Sequence, residues 1–276
     1  MTASHSASRY ALGSTDAEHE RLIRQAQWVN PHTERCFREA GIGPGYRVLD
    51  LGSGVGDVSL LLARLVGPTG EVVGVERDPR SISRARKRIA DAGLRNVSFT
   101  ECDISQIPVE RPFDAAVGRF ILMFLPDPVL VLRSLSRLVR PGGVLAFQEM
   151  DWDRFVKQAR CFSLWSAAAS LLEETFRHSG ANLRLGPKLS LVLGAAKLPA
   201  PSTRTDILAG GEEWMPDVLQ SIRVQMKQLN LDVERLGDFE TLSQRLHAEV
   251  EAAHGQTPLP FVVSAWSRNP NDPPSC

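Results

Sequence analysis

Three glycines at alternate positions form the part of the sequence best suited to hold a ligand. The stretch VLDLGSGVGD, residues 48–57, places Gly52, Gly54 and Gly56 between an apolar run and a leucine-rich helical pattern. A glycine lets the backbone come close to a ligand, and the first turn of a helix offers unpaired N–H groups and a positive dipole end. A strand, a glycine turn and a helix in this order predict a nucleotide cradle.

The spacing of these glycines separates two classes of ligand. A dinucleotide-binding turn has the pattern GxGxxG, in which the third glycine lets the helix pack closely on the strand. Here Asp57 stands at the position of that third glycine. An acid at the mouth of the helix would repel a pyrophosphate but tolerate a ligand that carries a cationic centre and an ammonium group. The loop therefore favours S-adenosylmethionine over NAD.

Two acidic residues downstream fall where a nucleoside in this cradle would need them. Glu76 ends the second predicted strand, about 22 residues after Gly54, where doubly wound folds place an acid that accepts hydrogen bonds from ribose hydroxyls. Asp103 ends the third predicted strand and could accept a hydrogen bond from an adenine amino group, with Ile104 packed on the ring. Because ligands of such folds bind at the carboxyl ends of the strands, we expect these residues to border one crevice.

The elements that must position these residues alternate between apolar strands and helical segments. Strands are predicted at residues 46–51, 70–76, 96–103, 113–120 and 144–151. The helix after the second strand has Pro79 in its first turn and Gly93 beyond its end. This rhythm is typical of a parallel sheet with helices on its faces and right-handed crossovers.

The segments on either side of this core are predicted to be mostly helical. Ser14 or Thr15 can cap a helix that starts near Asp16 and runs to about residue 40, with Pro31 as a break or kink. Residues 162–178, 186–198, 212–230 and 239–255 are predicted helices, and residues 203–210 and 260–268 are predicted strands that return to the sheet. The chain is thereby divided into an N-terminal tail and lid helix (1–40), a ligand-binding core (41–151), and a helical substrate lid with the last two strands (152–276).

The motifs of the core resemble those of the class I S-adenosylmethionine-dependent methyltransferases of the stand-alone small-molecule type. The resemblance rests on VLDLGSGVGD, VVGVERDP, ECDISQIP, FDAAVGRFILMFLPDP and LVRPGGVLAFQEMDW, which follow the order of that family's motifs over residues 46–151. It implies an α/β fold with a Rossmann-like, doubly wound seven-stranded sheet, mostly parallel with the last strand antiparallel, and N-terminal and C-terminal helical lids. It also implies that the cofactor is S-adenosyl-L-methionine.

The resemblance assigns roles to residues around the glycine loop. Gly52, Ser53 and Gly54 would line the methionine part of the cofactor. Asp50, at the acidic position of the first motif, would act through water or brace the loop. Glu76 would bind the ribose.

Further cofactor-binding candidates come from the same resemblance. Arg77 would flank the adenine, and Asp103 with Ile104 would hold its edge. The leader YALGSTDAEHERLIRQA, residues 10–26, is similar to a first helix that closes over the cofactor in such enzymes. By that similarity Tyr10 and Gln25 are candidates to touch it.

Three charged residues at the ends of the fourth and fifth strands are candidates for chemistry on the substrate. Arg119 stands where many methyltransferases place a polar residue near the transferred methyl group, so it is also a cofactor-site candidate; a surface arginine paired with an acid is the alternative. Glu149 or Asp151 could take a proton from a substrate hydroxyl or amine, with helix capping or a salt bridge as the alternative. No catalytic residue is assigned beyond these candidates, because methyl transfer from a sulfonium needs mainly positioning.

Aromatic residues of the lid have two interpretations. They could line an apolar substrate pocket, but aromatic side chains at helical spacing are more often part of a core. The residues concerned are Trp152, Trp165, Trp214 and the neighbouring Met215. His178 and His247 lie on predicted amphipathic helices, where a lone histidine is more often a surface residue than a base.

The composition disfavours several classes of protein. There are 32 lysines plus arginines and 32 aspartates plus glutamates, so no net charge attracts nucleic acid or an anionic membrane. The four cysteines show no metal-ligand spacing, which predicts no metal site and a reducing compartment. No signal peptide or membrane span is visible. We expect a soluble cytoplasmic protein with a small-molecule substrate, no nucleic-acid or membrane partner, and a homodimer as one assembly to test.

The expected function is methyl transfer from S-adenosylmethionine to a small molecule, such as a secondary metabolite or a quinone-like acceptor. The acceptor atom stays open among oxygen, nitrogen and carbon. One alternative is a regulatory or non-methylating protein that keeps the cofactor fold. Another is a nucleic-acid methyltransferase, which would have to extrude and stack a base. Neutral charge disfavours it, and GRFILMF, residues 118–124, lacks the Asn/Asp-Pro-Pro-aromatic sequence that such enzymes often use.

Overall fold

A computed structural model describes residues 15–108, 111–210 and 212–270, and its strands form a single sheet. The strands are β1 (Arg47–Leu51), β2 (Glu71–Glu76), β3 (Val97–Glu101), β4 (Phe113–Arg119), β5 (Val139–Met150), β6 (Ser202–Ile207) and β7 (Phe261–Arg268). Their order is β3-β2-β1-β4-β5-β7-β6. β1 to β5 pair in parallel, whereas β7 runs antiparallel between β5 and β6. The predicted doubly wound seven-stranded sheet, with its antiparallel last strand, is confirmed.

Helices connect the strands and cover the sheet. They are α1 (Asp16–Glu39), α2 (Asp57–Val66), α3 (Pro79–Asp91), α4 (Pro128–Leu138), α5 (Trp152–Ala159), α6 (Ser163–His178), α7 (Leu189–Ala195), α8 (Trp214–Ser221), α9 (Arg223–Gln228) and α10 (Leu242–Ala252). Short 3₁₀ turns occur at Ile104–Gln106, Leu122–Phe124, Gly186–Lys188 and Glu234–Leu236.

Alternate side chains of the central strands pack on opposite faces of the sheet. On β5, Leu145 and Phe147 join a large cluster with the helices α4 to α10, whereas Val144 and Ala146 join a cluster with α1 and α2. This alternation is the period of a strand buried on both faces. The large cluster therefore joins the core of the sheet to the C-terminal helices without a break at residue 151.

Two helix boundaries match the sequence closely because local capping decides them. Thr15 caps α1 through a hydrogen bond from Glu18 N to its Oγ1 at 3.2 Å, and Pro31 lies inside the helix without ending it. Asp78 caps α3, which has Pro79 at its first position and Gly93 in the left-handed region just beyond its end.

The transition from α4 to β5 differs from the predicted one. The strand was expected to begin at residue 144, but β5 begins at Val139, directly after α4. The register against β4 shifts between Phe113 and Ala115, which marks a bulge. A Cβ on Gly143 would lie 2.5 Å from Val139 and 2.7 Å from the carbonyl oxygen of Asp114, so the close approach requires glycine there.

Two helical segments of the lid also differ from the prediction. The sequence pattern predicts no helix directly after the fifth strand, but α5 begins there, capped by Asp151, whose carboxylate accepts a hydrogen bond from Arg154 N at 3.1 Å. The single helix predicted at residues 212–230 is split into α8 and α9 around Ile222, whose backbone is not helical. Within the described part of the chain, every helix is too short or too polar to cross a bilayer.

Candidate cofactor site

The candidate site lies at the carboxyl edge of the sheet, where the chain order reverses. β1 pairs with β2 on one side and with β4 on the other, so the connections that follow β1 and β4 lead to opposite faces of the sheet. A crevice at such a switch point is where open α/β folds bind their ligands. Residues predicted from the sequence lie at the ends of four of these strands: Glu76 and Arg119 end β2 and β4, whereas the glycine loop and Asp103 follow β1 and β3.

The three glycines of the loop have left-handed backbones and differ in the space that surrounds them. Their φ angles are 64° at Gly52, 51° at Gly54 and 83° at Gly56. A Cβ on Gly52 would lie 2.6 Å from Cδ1 of Ile121, whereas no described heavy atom beyond the chain neighbours lies within 4 Å of the corresponding position at Gly54. The open side of Gly54 is a cradle that a side chain would fill, which fits the approach of a cofactor.

Glu76 is held in place by backbone amides at the mouth of this cradle. Its Oε2 accepts a hydrogen bond from Gly54 N at 3.0 Å, and its Oε1 accepts from Arg77 N at 2.8 Å and Asp78 N at 3.0 Å. A carboxylate offers about four acceptor positions, so the half-buried Glu76 keeps capacity for a further donor such as a hydroxyl. The residues present therefore fit a nucleoside with ribose hydroxyls.

Asp50 and Ser53 lie beneath the loop and are buried. The carboxylate of Asp50 accepts a hydrogen bond from Ser59 Oγ at 2.6 Å, and burial raises its pKa to about 7 although that hydrogen bond opposes the shift. A Cβ on Gly74 would lie 2.9 Å from Ser53 Oγ, so this hydroxyl lies against β2 under the loop. Asp50 is thus positioned to brace the loop, and the backbone of Ser53 does the same, since Ser53 N donates to the carbonyl of Val75 at 3.0 Å and Gly56 N donates to the carbonyl of Ser53 at 2.8 Å.

The candidates for the adenine follow β2 and β3. Arg77 and Asp103 are exposed, and Ile104 is half-buried against the large apolar cluster. Ile104 begins a 3₁₀ turn in which Gln106 N donates to the carbonyl of Asp103 at 2.9 Å. The structure thus places these candidates on neighbouring strand ends, as the sequence predicts.

Asp57 has a role that the sequence pattern does not reveal. Its carboxylate pairs with Arg88 of α3 at 2.7 Å, and Arg88 also donates to the carbonyl of Val55 at 2.6 Å. The charge that was expected to repel a pyrophosphate is therefore offset by a neighbouring cation. The preference for S-adenosylmethionine over a dinucleotide therefore depends less on the charge of Asp57 than the sequence pattern indicates.

The first helix crosses the carboxyl edge. His19 Nε2 lies 3.1 Å from Ser81 Oγ at the start of α3. Gln25, a predicted cofactor contact, accepts a hydrogen bond from Arg21 Nη1 at 2.6 Å. Tyr10, the other predicted contact from this segment, lies outside the described residues.

Arg119 ties the end of β4 to the first helix. Its Nη1 donates to Asn30 Oδ1 at 2.7 Å and to Thr33 Oγ1 at 3.1 Å. Burial lowers the pKa of this guanidinium, and the carboxylates of Asp57 and Asp50 act against that shift. The sequence did not single out Asn30 or Thr33, because residues 86 or more positions apart give no local signal for such a contact.

Glu149 and Asp151 both have structural partners. Glu149 is buried, and its Oε1 accepts hydrogen bonds from Ile121 N at 3.1 Å and Leu122 N at 2.8 Å. Burial raises its pKa to about 8, although these backbone hydrogen bonds act in the opposite direction. Asp151 caps α5 and pairs with Arg154 at 3.2 Å. These contacts support the alternative of helix and loop capping for both residues.

The lid aromatics belong to the core. Trp152, Phe155, Trp165 and Trp214 contact one another with ring centroids 5.1 to 6.3 Å apart, and Met215 is fully buried. Two histidines of the lid have surface partners: His178 Nδ1 lies 2.8 Å from the carbonyl of Glu174, and His247 Nε2 lies 3.5 Å from Glu213. The core interpretation of the aromatic residues therefore has direct support.

Comparison with known proteins places the fold and the motifs in a family. Residues 42–198, more than half of the chain, match the model of a methyltransferase domain. The chain is 36% identical over 114 residues to the ubiquinone/menaquinone biosynthesis C-methyltransferase UbiE of Cellvibrio japonicus, covering 41% of this chain and 46% of that protein. It is 36% identical over 112 residues to the arsenite methyltransferase of Halobacterium salinarum, covering 40% of this chain and 29% of that protein.

The chain therefore spans less than half the length of these two relatives. Among solved structures, the cyclase SpnF is similar with a TM-score of 0.54 and 19% identity, over 88% of this chain and 82% of that one. At that identity the likeness shows the fold alone. The family model and the glycine loop with its acid at the end of β2 agree, and the chain belongs to the class I S-adenosylmethionine-dependent methyltransferases.

Proposed function

We propose that this protein transfers the methyl group of S-adenosylmethionine to a small-molecule acceptor. The observation that carries the proposal is the carboxylate of Glu76, which three backbone amides orient at the mouth of the open cradle over Gly54. A hydrogen-bond acceptor that is fixed in this way can bind ribose hydroxyls without reorganisation. Family membership supplies the class of ligand.

The residues of the chain would bind and orient rather than react. The bound cofactor supplies an electrophilic methyl group for an in-line displacement. Glu76 and the glycine loop would hold the nucleoside, and Asp50 would brace the loop through Ser59. α1, tied to β4 through Arg119, and the C-terminal helices would exclude water from the acceptor. No general base is part of the proposal, because methyl transfer from a sulfonium needs mainly positioning; Glu149 Oε1 and Asp151 Oδ1 each accept hydrogen bonds from backbone amides.

An organic acceptor fits the structure better than arsenite. Arsenic(III) is a soft centre that binds clustered thiolates. The cysteines described here, Cys36, Cys102 and Cys161, lie on α1, after β3 and after α5. The described ranges contain no group of three or more His, Cys, Asp or Glu residues arranged to hold a metal ion. The likeness to an arsenite methyltransferase therefore supports the cofactor core and not that substrate.

The alternative is a protein that binds the cofactor without transferring its methyl group. The fold likeness to the cyclase SpnF is the reason to test this alternative, because that protein is named for a cyclisation and not for methyl transfer. Incubating the purified protein with S-adenosylmethionine labelled in the methyl group and a small-molecule extract tests the proposal. Label in a new small molecule supports it, whereas cofactor binding without transfer to any acceptor favours the alternative.

The expected assembly and location stay predictions. A homodimer would be checked by the mass of the purified protein in light scattering, and the cytoplasm by fractionation of the source cells. The proposed methyl transfer does not depend on either result.

A further inference from the structure

Phe120, directly after β4, has a backbone conformation that a bulky residue rarely adopts. Its φ angle is 55°, in the left-handed region that favours glycine. The other described non-glycine residues with positive φ, Lys197, Asn230 and His254, follow the last turns of α7, α9 and α10, where this conformation commonly ends a helix. Phe120 is the exception, because it follows a strand at the switch point of the sheet.

The end of β5 holds Phe120 in this conformation. Phe120 N donates to the carbonyl of Gln148 at 2.8 Å, and the next two amides donate to the buried carboxylate of Glu149. Three successive backbone donors are thus fixed by two consecutive residues of β5. Strain of this kind persists where the surroundings over-determine the backbone, and such positions concentrate at functional sites.

The strained turn brings Ile121, the residue after Phe120, against the glycine loop. The side chain of Ile121 occupies the space that a Cβ on Gly52 or Gly118 would need, at 2.6 Å from either position. Phe120 itself packs, together with Trp28 of α1, on the small cluster of Val29, Leu208 and Val262. Both aromatic side chains are half-buried and also contact the large cluster. They form an apolar surface at the carboxyl end of β4, which pairs with β1, the strand that leads into the glycine loop; we call this surface the wall.

The polar groups next to this wall have partners at most of their atoms. Arg119, the residue before Phe120, donates to Asn30 and Thr33 of α1. Glu149 Oε1 accepts from backbone amides, its Oε2 is buried without a hydrogen-bond partner among the described residues, and Asp151 caps α5. The side chains that Trp28 and Phe120 add to this surface are flat and largely apolar.

We propose that Phe120 and Trp28 form the wall that selects the methyl acceptor, and that they select a flat, apolar ring. Aromatic faces stack on a planar ring with an offset or edge-to-face geometry, which a saturated ring of the same size cannot reproduce. The strained backbone of Phe120 fixes the direction of its Cα–Cβ bond and thereby the position from which its ring would meet the acceptor. This inference rests on the proposed methyl transfer, since the wall matters only beside a bound cofactor.

The test compares three probes on the protein saturated with S-adenosylhomocysteine. Calorimetry measures the affinity for 2-naphthol, for its saturated counterpart decahydro-2-naphthol, and for phosphoethanolamine as a polar probe. We expect 2-naphthol to bind, and the other two to bind weaker by at least about tenfold. Comparable affinity for the saturated ring, a preference for phosphoethanolamine, or no binding of 2-naphthol would overturn the inference.

Variants locate the effect on the wall. Phe120→Ala and Trp28→Ala should each weaken 2-naphthol binding by at least about tenfold while S-adenosylhomocysteine affinity changes by less than about threefold. Phe120→Gly removes the ring and also accepts the left-handed backbone, so it should lose the same affinity but melt at a higher temperature than Phe120→Ala. Tyr46→Leu, a half-buried aromatic at the amino end of β1, is the matched control and should bind 2-naphthol normally.

The outcomes separate this inference from the proposed function. If wild-type protein does not bind S-adenosylhomocysteine, the proposed function fails and the inference fails with it. If it binds S-adenosylhomocysteine and the wall variants bind 2-naphthol as the wild type does, only the inference fails. Phe120→Gly provides the answer if Phe120→Ala does not fold.

Discussion

Glu76 is the residue on which cofactor binding depends most directly. Its carboxylate connects β2 to Gly54 and keeps acceptor capacity for the ribose. Glu76→Gln replaces one acceptor oxygen with an amide donor, which would face the donor Gly54 N or a ribose hydroxyl. We expect S-adenosylmethionine binding, measured by calorimetry, to weaken by about 1–3 kcal/mol, the usual effect of leaving a buried partner unpaired.

A control separates this effect from a general loss of charge. Glu251 is exposed at the end of α10, remote in sequence from the glycine loop. Glu251→Gln should bind S-adenosylmethionine as the wild type does. An unchanged affinity in folded Glu76→Gln would remove Glu76 from the site.

Glu149 should make stability depend on pH. Burial raises its pKa from 4.5 to about 8, so between these values the folded state keeps a proton that the unfolded chain has lost. The contribution of Glu149 to the free energy of unfolding therefore falls as pH rises through this window, by at most about 1.4 kcal/mol per pH unit, and levels off above it. Urea unfolding of wild type and Glu149→Gln across the window should show a shallower pH dependence in the variant.

Asp50 titrates in part of the same window and is present in both proteins. Burial raises its pKa to about 7, so its contribution has the same sign and cancels in the comparison. Glu251→Gln again serves as the control and should keep the wild-type slope. Equal slopes for wild type and Glu149→Gln would show that the carboxyl is not protonated in the folded state.

Among the elements, α1 is the one whose position links the N-terminal segment to the site. Arg119 reaches it through Asn30 and Thr33, so Asn30→Ala should leave part of a buried guanidinium without its partner. We expect a loss of about 1–3 kcal/mol in the free energy of unfolding, together with faster amide hydrogen exchange in residues 16–39. Gln27→Ala, at an exposed position on the same helix, should change neither quantity.

Equal effects of these two variants would contradict a role of the Arg119 hydrogen bonds in holding α1. If Asn30→Ala and Gln27→Ala destabilise the protein equally, Arg119 does not hold α1. The position of α1 would then depend on its other contacts, among them its packing on α2 and α8 and its ion pairs with Arg204 and Asp217.

Elements with strong local signals could be predicted from the sequence, and elements decided by tertiary contacts could not. Thr15, Pro79 and Gly93 are local capping signals, and they predicted the bounds of α1 and α3 well. The early start of β5 depends instead on the fit of Gly143 against Asp114 of β4, which no window of sequence contains. The break at Ile222 between α8 and α9 likewise interrupts a continuous helical pattern.

At the scale of the whole molecule, the sheet and the C-terminal helices share one core. The large cluster includes Leu49 of β1, Trp152 of α5 and Leu246 of α10. A contiguous core of this kind predicts a single cooperative unfolding transition in urea, monitored by tryptophan fluorescence and by far-ultraviolet circular dichroism. Trp152→Ala should shift that one transition by about 3–5 kcal/mol. Two separate transitions would show that the lid folds independently of the sheet.

The site follows the same division between local and distant signals. The glycine loop, Glu76 and Asp103 could be placed from the sequence because each stands at the end of a strand whose order along the chain is regular. The partners of Arg119 and Glu149 could not, because they depend on how α1 and the residues after β4 pack across the sheet. The strained turn at Phe120 is also invisible in sequence, since its φ angle is imposed by β5.

The central claim is that the crevice over the glycine loop binds S-adenosylmethionine rather than a dinucleotide. Calorimetric titration of the purified protein with S-adenosylmethionine and, separately, with NADH tests it most directly. We predict saturable binding of one equivalent of S-adenosylmethionine per chain and no detectable binding of NADH. Binding of NADH without binding of S-adenosylmethionine would contradict the account.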